Sequence, residues 1–180
     1  VCTAGMCEAT ASSCNDGVMN GNETGVDCGG PDCPACPGVV SVHVVRIGTG
    51  TGALTAASTA VFLDEVGLDG TALGTVALPT AANGTNNPFT LSGTSTSEGG
   101  LSLSSNGAYL VLAGYSVAPG TATVNGTTAT AVNRAVARVD GAGAVNTATV
   151  LSNAFNESSI RAATSSDGTH FWLSGNGAGG

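Results

Sequence analysis

Apolar and polar residues alternate in short runs through most of the chain, and glycine-containing pairs separate the runs. Runs of this length and period predict β-strands with one buried face. An Asp-Gly or Asn-Gly pair between two runs predicts a hairpin, because glycine accepts the positive φ that a tight turn requires. Four hairpins are therefore expected, with turns at Asp69-Gly70, Asn106-Gly107, Asp140-Gly141 and Asp167-Gly168.

The apolar runs around these turns give the strands of each hairpin. They are Thr59–Val66 with Ala72–Leu78, Leu101–Ser104 with Tyr109–Gly114, Arg134–Val139 with Val145–Leu151, and Ile160–Thr164 with Phe171–Ser174. An earlier run, in which Val40, Val42 and Val44 alternate with Ser41 and His43, predicts a half-buried strand. Since the connecting stretches lack a period of 3.6 residues, we expect antiparallel sheet rather than a parallel α/β fold.

An internal repeat links two of the predicted hairpins. Ser104–Gly114 aligns without gaps with Ser165–Gly175, at an offset of 61 residues. A further hairpin precedes each copy, so the repeating unit has about four strands, the size of a propeller blade with a long insert. In the second copy Phe171 aligns with Leu110 and is expected in the core. Its neighbour Trp172 then points to the opposite face, where it could contact a ligand.

Charge and hydropathy exclude some partners. Charged residues make up 9% of the chain, there is no lysine, and the net charge is −8. The four arginines cannot neutralise a phosphate backbone, so nucleic acid is disfavoured, and a polybasic membrane anchor is excluded. Although 42% of the residues are hydrophobic, no run is long enough for a membrane-spanning helix. We therefore expect no membrane insertion.

The cysteines mark a separate small module at residues 1–37. All six lie there: Cys2, Cys7, Cys14, Cys28, Cys33 and Cys36. A segment this short needs covalent or metal staples to fold. Cys33 and Cys36 form a C-x2-C step that could begin a zinc site, but no second such step follows and both histidines lie elsewhere. Disulfides are the favoured interpretation, with the pairing left open, and they indicate an extracellular or cell-surface location.

An acidic loop lies between two of these cysteines. Its oxygen-bearing side chains are those of Asp16, Asn20, Asn22, Glu23 and Asp27. The spacing from Asp16 to Asp27 partly matches a calcium-binding loop, although Val18 stands at a position where a ligand is expected. Calcium is thus the one cofactor that the sequence suggests. The alternative is a solvated loop in which Asp and Asn side chains cap their own backbone.

Two stretches resemble known bacterial families. Residues from Cys14 to Cys36 resemble a cysteine-rich repeat, C-x-D-G-x-x-N-G-x-E-T-x-V-D-C-G-G-x-x-C-x-x-C, found often in tandem in secreted and surface proteins. From about Val39 onwards the chain contains the stretches Val44–Gly50, Val61–Glu65, Leu91–Gly99 and Ala113–Thr121. On these stretches it resembles the first part of a family of uncharacterised extracellular bacterial proteins with propeller-like repeats. Together these resemblances imply an all-β chain, with a disulfide module at 1–37 followed by about two propeller-like blades at 38–180. They also imply an incomplete array, truncated at both ends.

The sequence contains no recognisable catalytic constellation. There is no G-x-S-x-G elbow, and neither His43 nor His170 has an identifiable nucleophile partner. We therefore expect a non-enzymatic extracellular module, in which a disulfide-stapled spacer carries a β platform for binding or adhesion. Its partner would be a protein, a glycan or another copy of the chain. One alternative is a structural subunit of an extracellular fibre or surface layer. Another is a fragment of a propeller enzyme whose catalytic residues lie in missing blades.

Overall fold

The computed structural model describes residues 2–3, 6–7, 14–23, 26–28, 31, 33–34 and 41–177. The chain divides into two compact units, Val1–Ser41 and Val42–Gly180. The fold is all-β with antiparallel sheets, as predicted. The one helical element among the described residues is a 3-10 turn at Val124–Gly126, and no described helix has the length and apolarity needed to span a bilayer.

The first unit contains a short antiparallel pair and a disulfide. Strand β1, Cys2–Thr3, pairs with β2, Met6–Cys7, so that Cys2 stands opposite Cys7 in the register. A disulfide joins Cys14 to Cys33 and encloses the acidic loop. A bridge across a loop of this length removes unfolded-state entropy that contributes about 3 kcal/mol to stability.

The second region consists of short strands. They are β3 Ser41–Ile47, β4 Ser58–Gly67, β5 Ala72–Ala77, β6 Thr90–Ser92, β7 Ser102–Leu103, β8 Tyr109–Tyr115, β9 Arg134–Asp140, β10 Val145–Leu151, β11 Ile160–Ser165 and β12 Phe171–Gly175. All four predicted hairpins are confirmed, as β4–β5, β7–β8, β9–β10 and β11–β12. Gly70, Gly107 and Gly168 have the positive φ expected in their turns, 85°, 70° and 79°, whereas in the β9–β10 turn the positive φ is at Gly143 and not at Gly141.

The strands do not group into four-stranded blades. One sheet of the described residues runs β10-β9-β8-β6-β4-β3, with β5 attached to β4 and β7 to β8, while β11 and β12 pair separately. Strand β8, the end of the first repeat, pairs with β9, the start of the second, over seven residues from Tyr109↔Asp140 to Tyr115↔Arg134. No sheet in the described part of the chain closes, so propeller blades are not shown.

Strand β8 separates two hydrophobic cores. Leu112 packs with Val61, Phe89 and Ala137 on one face, a cluster called core 1 below. The neighbouring Val111 packs on the other face, in core 2, which the β11–β12 hairpin covers with Ile160, Ala163, Phe171 and Leu173. Because side chains alternate along a strand, a nearly continuous apolar run such as that of β8 fills both layers.

The buried face of β3 is the opposite of the one predicted. Val42 and Val44 are 49% and 48% exposed, whereas Val45 and Ile47 pack against core 1. The run is apolar at both parities near its end, so alternation alone does not identify the buried face. Val40 lies outside the described residues. The outward valines consequently form part of the molecular surface.

The two repeat copies contact each other directly. The Ser102 hydroxyl donates to the Ala163 carbonyl oxygen at 2.7 Å, and the Ser105 N–H donates to the Ser165 carbonyl oxygen at 3.0 Å. Gly100 and Ala162 form an isolated parallel bridge nearby. The segment that leads into the first repeat therefore lies beside the equivalent segment of the second.

Candidate functional site

The acidic loop is organised mainly by its own backbone. The Asp27 carboxylate accepts hydrogen bonds from the N–H groups of Asp16 at 2.7 Å and Gly17 at 2.9 Å. Asp16 in turn accepts from the Val18 N–H at 3.0 Å and from the Asn20 side-chain amide at 2.9 Å. The structure therefore brings Asp16, Asn20 and Asp27 together in the arrangement that the alternative prediction describes, with Asx-type caps.

Two other predicted ligands adjoin this network. Glu23 accepts a hydrogen bond from the Asn20 N–H at 3.0 Å, and Asn22 is an exposed residue with interactions of its own. The side-chain oxygen of Asn20 is buried without a hydrogen-bond partner. A buried amide oxygen in this state is costly, and a bound cation would satisfy it.

The cysteine sulfurs are not available as metal ligands. Cys14, Glu23 and Cys33 place ligand-type atoms within 4.8 Å of one another. However, Cys14 and Cys33 are joined to each other, and Cys28 is also disulfide-bonded. A sulfur in a disulfide carries no thiolate charge for zinc. The preference for disulfides over zinc is thus confirmed for these cysteines, while the Cys36 site and the side chains of Cys2 and Cys7 lie outside the described residues.

A groove of about 570 Å³ opens between β5 and the strands β8 and β9. Leu63, Val76, Leu110 and Val139 contribute apolar surface to it, and each belongs to or packs against core 1. His43 and Glu65 contribute polar side chains, Thr75, Tyr109 and Asp140 border the groove, and glycines of two hairpin turns complete the lining. An apolar floor with a few polar groups is the usual composition of a small-ligand site.

Tyr109 borders the groove, but its ring lies on the core 2 side of β8, where the second repeat fixes its position. The guanidinium carbon of Arg138 lies 5.1 Å from the centre of its ring. Arg138 also donates to the carbonyl oxygen of Gly168, in the turn of the second repeat. Tyr109 is only half-buried. Its ring is therefore held in one orientation while part of it remains accessible.

The charges in the groove are of one sign. Glu65 and Asp140 are the carboxylates that line it, and no arginine does so among the described residues. Asp140 Oδ1 accepts from the N–H groups of Ala142 and Ala144, both at 2.9 Å, which shapes the β9–β10 turn. The groove thus presents hydrogen-bond acceptors above an apolar floor, and it suits a ligand rich in donors and without negative charge.

The outer face of β3 and β4 carries an ion pair. Arg46 Nε lies 2.6 Å from Asp64 Oδ2, and the guanidinium lies over the Phe62 ring at 4.3 Å. The Thr75 hydroxyl also donates to Asp64 at 2.8 Å. The hydrogen bonds from Arg46 and then Thr75 hold the pKa of Asp64 below its usual value. Sequence reasoning missed this pair because β3 and β4 are separated by a loop.

Both histidines are exposed. His43 is exposed on β3 and lines the groove. His170 is exposed in the β11–β12 turn, where its Nδ1 lies 2.9 Å from Asp167 Oδ2. The pKa of Asp167 is lowered chiefly because its carboxylate accepts the His170 and Thr169 backbone N–H groups. This pair caps a turn. Trp172 is 59% exposed and Phe171 contacts core 2, as predicted.

Comparison of the chain with models of protein families, with curated proteins and with solved structures returns no match.

Proposed function

We propose that this chain is an extracellular, non-enzymatic binding module whose groove takes a glycan. The cysteine-rich unit would act as a disulfide-stapled spacer, and residues 41–177 would form the binding platform. The observation that carries the proposal is the groove itself, which combines an apolar floor with the polar side chains of His43 and Glu65. Sugars offer many hydroxyl donors for Glu65, and their C–H faces can pack on the apolar side chains of Leu110 and Val139.

The cysteine pairing and the resemblances noted above support the extracellular location. Disulfides persist in oxidising compartments, and Cys14–Cys33 is such a bond. The propeller-like arrangement belongs to the same proposal. It is supported by the 61-residue repeat and by the packing of the β11–β12 hairpin on one face of β8, because adjacent propeller blades pack face to face.

Binding of the full chain to an array of neutral and charged glycans tests the function. Gly74 lines the groove on β5, has an ordinary φ, and would place a Cβ no closer than 3.8 Å to Glu65 Oε2. Gly74→Phe should therefore fold and fill the groove. Ala77→Phe is the matched control, since residue 77 is exposed and points to the opposite face of β5.

We expect selective retention of neutral glycans by the native chain and by Ala77→Phe, and a loss of at least about tenfold in affinity for Gly74→Phe, which corresponds to 1.4 kcal/mol. Equal binding by both variants would contradict the groove as the site. If the native chain binds no glycan but does bind secreted proteins, its ligand is a protein, and this result would overturn the glycan assignment.

A calcium site in the loop from Asp16 to Asp27 is the second proposal. It is supported by the buried, unpartnered Asn20 oxygen beside two carboxylates. Calorimetry on the oxidised full chain should show binding at submillimolar to millimolar calcium, the range of weak extracellular sites. Asn20→Ala removes the unpartnered oxygen and should abolish the heat. The absence of any heat from the native chain would leave the self-capped loop as the whole explanation.

A further inference from the structure

Three strands of the second region share a pattern that ends in glycine. The motif Val44-Val-Arg-Ile-Gly48 at the end of β3 corresponds to Leu110-Val-Leu-Ala-Gly114 in β8 and to Phe171-Trp-Leu-Ser-Gly175 in β12. The last two belong to the 61-residue repeat. The first extends the pattern to a third strand, although no Asp-Gly or Asn-Gly turn directly precedes β3.

Equivalent positions in these strands face equivalent directions. The residue three places before the glycine faces the core that lies between its own strand and the next of the three strands: Val45 packs against core 1, and Val111 lies in core 2. The residue four places before the glycine faces the preceding layer, as Leu110 does toward core 1 and Phe171 toward core 2. We call the side with the residue three places before the glycine the forward side of a strand, and the side with the residue four places before it the backward side. Each core thus lies between the forward side of one of these strands and the backward side of the next.

This order leaves two faces uncovered among the described residues. At the forward end, Trp172 is equivalent to Val111, yet it is 59% exposed whereas Val111 is fully buried. At the backward end, Val44 is equivalent to Leu110 and is 48% exposed. We call the surface around Trp172, with Thr164 and Ser174, the forward face. The surface around Val44, with Val42 and Phe62, is the backward face.

We propose that the forward face of one chain binds the backward face of a second copy of the same chain, so that the protein associates head to tail. Inside the molecule, a forward side packs on a backward side twice, at core 1 and at core 2. A contact between Trp172 and the Val44 surface of another copy would repeat that arrangement a third time. The internal interface therefore identifies the partner.

Such a contact is heterologous, because the two partners use different surfaces. A heterologous contact leaves one free face at each end, so it builds rings or open filaments rather than closed two-fold dimers. The proposal is independent of the glycan-binding function, and it gives the alternative of a fibre subunit a defined interface. Because the chain carries a net charge of −8, mutual repulsion should weaken the association at low ionic strength.

Sedimentation of the full chain over a range of concentrations and salt tests this proposal. The chain contains a single tryptophan, so Trp172 fluorescence reports directly on the forward face. We expect assemblies that grow with concentration and with added salt, accompanied by a blue shift of the emission as the indole leaves water. A chain that stays monomeric up to about 1 mM, the range of the weakest specific contacts, would overturn the proposal.

Two single-face variants test the polarity of the contact. Trp172→Glu blocks the forward face and Val44→Glu the backward face, and both positions are exposed, so both variants should fold. Ser174→Glu is a second forward-face variant in case loss of the indole disturbs β12. Leu68→Glu adds the same charge at a turn residue that is 73% exposed and lies on neither face, and it should associate like the native chain.

We expect each face variant to be monomeric alone, and a mixture of the two to form dimers that grow no further, because one intact face of each kind remains. If the mixture stays monomeric while the native chain assembles, the contact is not head to tail. If neither variant reduces assembly, these faces do not mediate it. Either result would overturn the proposal.

Discussion

Gly168 packs against the ring of Tyr109, and no larger residue fits there. A Cβ atom built on Gly168 would lie 2.5 Å from both Cδ2 and Cε2 of Tyr109. The two residues belong to different copies of the repeat: Tyr109 begins β8, and Gly168 lies in the turn between β11 and β12. The turn of the second copy therefore fixes the orientation of the Tyr109 ring on the core 2 side of β8.

Substitution of the two equivalent turn glycines should have unequal effects. Gly107 and Gly168 both have a positive φ, but nothing lies within 4 Å of a Cβ at Gly107. Gly107→Ala should lower the free energy of unfolding by about 1 kcal/mol through backbone strain alone. Gly168→Ala should cost about 1–3 kcal/mol more, because the Tyr109 ring must move. Urea denaturation measures both, and equal losses would show that the ring contact contributes nothing.

Arg134 should be indispensable for stability. Its side chain is fully buried, and its guanidinium donates to the carbonyl oxygens of Phe155 at 2.6 Å, Thr127 at 2.7 Å and Val132 at 2.7 Å. Burial lowers its pKa, but an arginine remains charged at neutral pH. The carbonyl groups of two loops thus supply the partners that this buried charge requires.

Arg134→Lys should therefore destabilise the chain by about 2–3 kcal/mol, because a lysine has fewer donors and leaves buried carbonyl groups without partners. Arg161→Lys is the matched control, since Arg161 is exposed, and its effect should be within about 0.5 kcal/mol. Thermal or urea unfolding of both variants gives the comparison. Similar stabilities would mean that the loop carbonyls do not depend on the guanidinium.

Acid should lower the free energy of unfolding through Asp64, on the outer face of β3 and β4. The pKa of this carboxyl is held below its ordinary value of 3.8, so the folded state binds its proton less readily than the unfolded state does. Its contribution is fully present above that value and is lost as the pH falls through the lower, folded pKa. For a partly exposed pair we expect about 0.5–1 kcal/mol. Denaturation at pH values from neutral to strongly acidic should show a shallower acid loss for Asp64→Asn than for the native chain, and identical slopes would contradict this.

The Cys14–Cys33 bond should stabilise the first unit alone. Replacing both cysteines with serine removes a constraint worth about 3 kcal/mol, so the acidic loop should become sensitive to proteases. Strand signals from residues 42–177 should not change, because their cores contain no cysteine among the described residues. Limited proteolysis followed by mass analysis distinguishes the two regions. A variant loop as resistant as the native one would show that other bonds hold it.

Local signals in the sequence predicted all four hairpins, since Asp-Gly and Asn-Gly turns act within a few residues. They did not predict how the hairpins assemble. The pairing of β8 with β9 joins the two repeat copies into one sheet, and it depends on contacts across a long loop rather than on either strand alone. The prediction of the buried face of β3 was wrong for a related reason. Apolar residues occur on both faces of this strand, so the neighbouring strands determine which face is buried.

The candidate sites show the same limit. The sequence placed Asp16 and Asp27 in one loop, but carboxylates can bind either a cation or nearby backbone N–H groups, and the spacing of residues does not distinguish these uses. Leu110 and Glu65 gave no signal as a pair, since they line one groove only through the pairing of distant strands. Trp172 was the exception, because the aligned repeat already identified Phe171 as the core residue.

The central claim, that the groove is a glycan-binding site, is tested most directly by amide NMR spectra of the full chain titrated with neutral disaccharides at millimolar concentration. The groove glycines Gly74, Gly107 and Gly143 provide resolved probes on three different hairpins. We predict saturable shifts at these amides, and no shifts in the Gly74→Phe variant. Saturable shifts confined to residues outside the groove, or spectra that do not change for any disaccharide, would contradict the claim.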